Sequence, residues 1–189
     1  MNEPKDSLER CLRRGGVIAY PTEAVWGLGC LPGSEQGVRK ILELKGRSWE
    51  KGLILVAANI NQVRPYINDS YLTLLSENKW AEPLDSSAVT YLVPKSESVP
   101  MWLSGKSEKI AVRISSHPFV KKLCEKLGSA LVSTSANTAN NPAAMNRAEV
   151  ERYFPSGLDQ ICFGELGSQL SVSRIVDLES GKIIRGETA

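Results

Sequence analysis

The sequence predicts an α/β domain whose twisted sheet mixes parallel and antiparallel strands and is flanked by helices. Short apolar runs alternate with stretches of helical periodicity through the first part of the chain, the pattern of strand–helix–strand units. Towards the end, strand-like runs crowd together near Ile161, Ile175 and Ile183, which argues against a purely parallel sheet. A third observation bounds the answer: 189 residues with 42% hydrophobic content suit one domain, residues 1–189, with a sizeable core. Neither an internal repeat nor a boundary linker is visible.

Taken in order, residues 5 to 14 read as an amphipathic helix, with Leu8 and Leu12 one turn apart and Gly15-Gly16 stopping it. Val17 to Tyr20 reads as a buried strand, ended by Pro21 because proline has no N–H to give. Gly27 and Gly29 follow within one turn of chain, where backbone can approach a ligand closely. Ser34 suits an N-cap, and Val38, Ile41 and Leu42 recur at helical spacing as far as Lys45. Lys45, Arg47 and Lys51 then bring three cations to one sheet edge ahead of the strand Leu53 to Ala57. Such an edge would hold an anion. Lys45 and Arg47 equally suit a helix C-terminus, where cations are favourable by ~0.3–1 kcal/mol.

Asn59 or Asn61 caps a short helix interrupted at Pro65, and Ser70 caps a longer one with a stripe of Leu72, Leu75 and Trp80. Residues 81 to 87 read as a loop. Val89 to Val93 is a strand carrying Thr90 and ending at Pro94. The serine-rich stretch Lys95 to Lys109 reads as a mobile lid that orders only with ligand, and Trp102 within it is either a plug onto the core or a ligand-side aromatic. Ile110 to Ile114 is a strand, His117 to Leu127 a helix ended by Gly128, and Ala130 to Thr134 a strand running into Ser135-Ala136-Asn137. A loop at 138–146 leads to a helix near 147–154.

Composition excludes several functions. Four dispersed cysteines without a C-x-x-C pair read as buried free thiols, and a single histidine leaves zinc sites and proton relays little to work with. His117, followed by proline, reads as a helix-start residue. A net charge of +2 does not suit a protein that wraps nucleic acid with its whole surface. No apolar stretch reaches membrane-spanning length and the N-terminus lacks a signal-peptide layout, so a cytoplasmic protein without a membrane partner is expected.

Phosphate-binding motifs are missing as well. There is no G-x-x-x-x-G-K-[ST] loop, and Gly27-Leu28-Gly29 is only a weak approach to G-x-G-x-x-G. Hydroxyls instead recur at strand ends, in Tyr20-Pro21-Thr22, Val132-Ser133-Thr134-Ser135 and Ser171-Val172-Ser173. They can hold phosphate or carboxylate oxygens, or simply cap turns.

The run Tyr20-Pro21-Thr22-Glu23-Ala24-Val25-Trp26-Gly27-Leu28-Gly29 is followed by Lys45-Gly46-Arg47, Ala111-Val112-Arg113, His117-Pro118 and Ser133-Thr134-Ser135-Ala136-Asn137. Together these resemble the signature of the YrdC/TsaC family of threonylcarbamoyl-adenylate synthases, over roughly Gly15 to Arg185. The resemblance implies a single-domain YrdC-like fold of the short bacterial branch. It implies a nucleotide side formed by Lys45, Arg47, Thr90, Ser135, Asn137 and Arg185, and a threonine side formed by Thr22, Arg113, Ser133 and Ser173. The sequence departs from the family pattern at Ala24, Lys51-Gly52, Ser86-Ser87-Ala88 and Asn140-Asn141. At the first of these, Thr22 or Glu23 is expected to do more of the work.

The implied reaction joins L-threonine, bicarbonate and ATP into threonylcarbamoyl-AMP and pyrophosphate. It needs no tightly bound cofactor, no metal ligand and no catalytic acid or base from the protein, with Mg2+ arriving on the ATP. A tRNA-modifying enzyme complex would take the product. Two alternatives fit the chain less well: an RNA-binding module assisting ribosomal RNA maturation, for which the positive excess is small, and a carbamoyl-transfer domain of hydrogenase maturation, for which zinc-finger cysteines are missing. Weak RNA binding remains compatible with the local cations.

Overall fold

The computed structural model describes residues 7–72, 88–169 and 171–186. Among the described residues nine strands form one sheet: β1 (Ile18–Pro21), β2 (Trp26–Cys30), β3 (Ile54–Ala57), β4 (Val89–Pro94), β5 (Lys109–Ile114), β6 (Leu131–Ser135), β7 (Gln160–Ile161), β8 (Arg174–Asp177) and β9 (Ile183–Arg185). Their spatial order is β7-β1-β2-β6-β3-β5-β4-β8-β9. The pairs β1–β7, β3–β5 and β4–β8 are parallel, while β1–β2, β2–β6, β3–β6, β4–β5 and β8–β9 are antiparallel. The mixed sheet is as expected from the alternation of elements.

Helices α1 (Leu8–Arg13), α2 (Glu35–Lys45), α3 (Ile60–Val63), α4 (Met101–Ser104), α5 (Pro118–Leu127) and α6 (Arg147–Tyr153) surround it. Alternation along each strand divides the core between two faces. Val17, Ala19, Leu28, Leu55 and Val132 pack with Val38 and Ile41 of α2, whereas Ile18, Tyr20, Val56 and Leu131 pack with Leu12 of α1 and Leu123 and Cys124 of α5. All four cysteines are free and buried, as expected.

The caps follow the sequence closely. Ser34 accepts a hydrogen bond from the Gly37 amide at the start of α2, an arrangement worth ~1 kcal/mol. At the other end Gly46 takes a left-handed conformation (φ 59°). The Gly46 amide donates to Glu43 O and the Arg47 amide to Leu42 O, which closes a Schellman turn. Asn146 caps α6, and His117 occupies the residue before α5 with Pro118 in the first turn.

Two expectations need correction. The Gly27–Gly29 segment, for which no strand was expected, is strand β2, paired residue for residue with β1, with Pro21 opposite Trp26. Its glycines face the ring of Tyr20. A Cβ on Gly29 would lie 2.8 Å from the Tyr20 ring and 2.6 Å from Val132 O, so this strand forms only without side chains there. The second correction concerns residues 95 to 109, read from composition as a mobile lid. Val99 and Leu103 are buried, α4 occupies the middle, and Trp102 packs on the core while donating to Pro32 O at 3.4 Å. None of the segment lines the cleft described below. Apolar residues spaced among the serines outweigh the polar composition. The helix expected after Ser70, with Leu75 and Trp80, the loop at 81–87 and most of Ser86-Ser87-Ala88 lie outside the described residues.

Candidate active site

The β1–β2 hairpin reverses at Thr22–Val25, where the Thr22 amide and hydroxyl both donate to Val25 O (3.2 and 2.7 Å). This turn, the C-terminal end of β6, the start of β3, the loop after α2 and the segment entering β8 border one cleft. Thr22, Arg47, Arg113, Ser133, Ser135, Asn137, Ser173 and Arg185 line it together, although Thr22 and Arg185 stand at opposite ends of the chain. Since Leu28 packs into the core behind the sheet, Gly27 and Gly29 lie on the opposite face, and of the two Gly27 lines the cleft.

Two of the expected residues stand behind the cleft wall. Lys45 is buried, and its ammonium donates to Ser135 O, to Asn137 O (2.9 Å) and to Asn137 Oδ1 (2.9 Å). Ser135 Oγ donates to the same Asn137 Oδ1 at 2.6 Å, and Asn137 Nδ2 donates to Asn141 O at 2.8 Å. Lys45 therefore knots the turn after β6 rather than facing the cleft. Thr90 is fully buried and shares a 2.8 Å hydrogen bond with Ser173, whose hydroxyl lies on the wall.

The Schellman turn explains why Lys45 and Arg47 part company. Gly46 reverses the chain direction, so Arg47 swings to the cleft and donates to Gly52 O at 2.9 Å, its Nε buried without a hydrogen bond. Across the cleft, Arg185 donates to Ser173 O at 2.9 Å. Burial depresses the Arg185 pKa first, and the charges of Arg113 and Arg47 depress it further. These guanidinium groups thus feel one another.

Sequence reasoning gave Glu23 only a passing role. It is 4% exposed and is the one carboxylate among the described cleft-lining residues. Ser115 Oγ donates to Glu23 Oε1 at 2.6 Å, and Arg113 NH2 lies 3.3 Å from Glu23 Oε2. Burial opposes ionisation of Glu23, but the charge of Arg113 and the Ser115 hydroxyl outweigh it and hold the carboxyl below its usual range. An acidic residue at the tip of an otherwise apolar hairpin was the available signal. Gln169 also lines the cleft and carried no signal of its own, whereas Ser171 and Val172 belong to the hydroxyl-bearing run Ser171-Val172-Ser173. Among the described residues no cluster of His, Cys, Asp and Glu is arranged to hold a metal.

Burial also lowers the pKa of Lys45, to about 8, with the charge of Arg47 acting in the same direction. Ser133 Oγ accepts from the Tyr20 hydroxyl at 2.8 Å, which leaves the serine its own proton to donate.

The family model for Sua5, YciO and YrdC, described as telomere recombination, matches residues 10–186. The chain belongs to this family. Among curated members it is 48% identical to the threonylcarbamoyl-AMP synthase of Pseudomonas aeruginosa strain UCBPP-PA14, with 93% of each chain covered. It is 44% identical to the enzyme of that name from Buchnera aphidicola subsp. Schizaphis graminum, with 95% of each covered. Of the solved family structures, P. abyssi Sua5 complexed with L-threonine superposes with a TM-score of 0.78 at 29% identity. That match covers 89% of this chain and 49% of Sua5, so the chain spans about half the Sua5 length. E. coli YciO, at 23% identity and a TM-score of 0.76, shows the shared fold. Among the described residues of this family member, no helix is long and apolar enough to cross a membrane.

Proposed function

We propose that this protein is a threonylcarbamoyl-AMP synthase, a nucleotidyltransferase that joins L-threonine, bicarbonate and ATP into L-threonylcarbamoyladenylate and pyrophosphate. One observation carries the reading: the described lining of the cleft sets three arginines, Arg47, Arg113 and Arg185, against a single carboxylate, Glu23. Such an excess of positive charge, walled by hydroxyls, suits phosphate and carboxylate together. The name shared by the relatives at 44–48% identity and the L-threonine bound to P. abyssi Sua5 support the same conclusion.

The chemistry makes modest demands. The threonine amine meets bicarbonate to give a carbamate with loss of water, and a carbamate oxygen attacks the α-phosphate of ATP while pyrophosphate leaves. Positioning and charge neutralisation dominate such a step. Arg47, Arg185, Ser135 and Asn137 make up the nucleotide side, and Thr22, Arg113, Ser133 and Ser173 the threonine side. Lys45 and Thr90 act from behind the wall, by holding Asn137 and Ser173. Mg2+ arrives with the ATP, because Glu23 is already engaged by Arg113 and Ser115. The adenylate is a reactive mixed anhydride, and a tRNA-modifying complex that threonylcarbamoylates adenosine consumes it.

Incubation with labelled bicarbonate, threonine and ATP tests the reading, the expected product being an adenylate containing all three parts. Arg47→Ala should lower its formation at least ~1,000-fold, as loss of a charge clamp on a transferring phosphoryl group does. The melting temperature should stay within a few degrees. An unlabelled adenylate, or none, would refute the assignment.

A further inference from the structure

We propose that Glu23 partitions the cleft: by neutralising Arg113 it keeps phosphate out of the end that takes the amino acid, and so confines the polyphosphate to Arg47 and Arg185. This deepens the function proposed above and rests on it.

Three arginines in one cleft pose a sorting problem. A triphosphate can bridge all of them, and a phosphate seated on Arg113 would block the amino acid's carboxylate. Glu23 answers this at one end only. Its Oε2 stands 3.3 Å from Arg113 NH2 without a hydrogen bond, so the pair is coupled by charge rather than by a shared proton. An α-amino acid is a zwitterion. It offers a carboxylate to Arg113 and an ammonium to the field of Glu23. Phosphate brings only negative charge and meets Glu23 as repulsion. Specificity of this kind comes from a like charge placed against the wrong ligand. Around Arg47 and Arg185 the described lining contains no acid, so phosphate is unopposed there.

Glu23 is also held so that it cannot leave. Ser115 fixes Oε1, and the Ser115 hydroxyl in turn accepts from the His117 amide at 3.2 Å. Behind it, the Gln169 amide donates to Glu23 O (3.1 Å) and the Gly167 amide to Thr22 O (2.9 Å). The strap runs so close that a Cβ on Gly167 would lie 2.7 Å from Glu23 O. A freely solvated surface glutamate would need none of this. Arg113 and Ser115 together keep the carboxyl ionised despite its burial, so the repulsion persists at neutral pH.

The test is equilibrium dialysis of labelled L-threonine against the full-length protein, with inorganic phosphate as competitor and chloride matching the ionic strength. For the unaltered protein, phosphate should leave threonine affinity within about two-fold. For Glu23→Gln, which keeps the shape and can still accept from Ser115, the same phosphate should weaken threonine binding roughly ten-fold or more. Glu23→Asp retains the charge and should exclude phosphate as the parent does. A purely structural role for Glu23 would weaken threonine binding without creating competition. Equal competition in the parent and Glu23→Gln, whether strong or absent, overturns the inference. Should Glu23→Gln fail to fold, the parent and Glu23→Asp decide, and phosphate competition in either overturns it. A parent protein that binds no threonine, alone or with ATP, overturns the proposed function instead.

Discussion

Two corners of the site bury a cation, one on the cleft lining and one behind its wall, and they do it differently. At one, Arg113 (8% exposed) is paired with the carboxylate of Glu23. At the other, Lys45 (6% exposed) is surrounded by neutral oxygens, Ser135 O, Asn137 O and Asn137 Oδ1, with no carboxylate among its hydrogen-bond partners. A paired charge is expensive to break, because removing one partner strands the other. A charge held by dipoles is easier to remove, but desolvation opposes its ionised form. The first corner is therefore a rigid fixture, and the second a group whose proton is loosely held.

Breaking the first corner should have the largest effect on stability. Arg113→Met leaves Glu23 buried without its countercharge and should cost ~3–5 kcal/mol, measured by urea unfolding at neutral pH. Part of that loss should return in acid, where Glu23 takes up a proton. Lys45→Met should cost less, ~1–3 kcal/mol, because it orphans neutral acceptors while relieving the desolvation of a cation. If the order of these two losses were reversed, the distinction between the corners would fall.

The corners should also respond to pH in separate windows, stability rising with pH in both. Glu23 has a folded pKa below its ordinary 4.5, so it contributes stability above that value and loses it as pH falls through the folded pKa. Lys45 has a folded pKa of about 8 against an ordinary 10.5. Between those values the unfolded chain keeps a proton that the folded protein has lost, so this group makes stability rise with pH. Comparison of unfolding free energies at pH 7.5 and 10 should show the increment in the parent and its absence in Lys45→Met. The smallest effect is kinetic. A neutral Lys45 has fewer protons for its three acceptors, so kcat/KM for ATP should fall above about pH 8. The decline should move to higher pH in kcat, where bound phosphates favour the ammonium. A rate profile flat from pH 7 to 9.5 would mean that the turn after β6 does not depend on that proton.

How much of this was legible in the sequence differs from element to element. Helix α2 was readable at both ends, because Ser34 suits an N-cap and the helical spacing of apolar residues runs out at Lys45. Strand β2 was not, because Gly27 and Gly29 are poor strand formers and their purpose, space for the Tyr20 ring, lies in a neighbouring strand. The resemblance pointed to Arg47, Arg113, Ser133, Ser135 and Asn137 at positions that the fold does bring together, although no spacing rule links residue 47 to residue 135. What it left open was direction. Lys45 and Arg47 are two residues apart in one signature, and only the turn at Gly46 decides that one faces inward and the other the cleft. Glu23 was hard to weigh for a related reason, since its partners Arg113 and Ser115 are about ninety residues away.

The segment once expected to close over the cleft turns out to brace it from outside. Leu103 O accepts from the Leu53 amide at 2.9 Å, and the Gly105 backbone packs against Glu50 and Gly52 so closely that an added Cβ would lie 2.2 Å from Glu50 O. Gly52 is the residue whose carbonyl receives Arg47. A polar, serine-rich surface stretch is ordinarily the first choice for inserting a tag, a fluorophore or a circular-permutation break. In this protein a splice between residues 100 and 106 would loosen the peptide that aims a cleft arginine, so the part of the surface that looks most editable is joined by backbone to the chemistry.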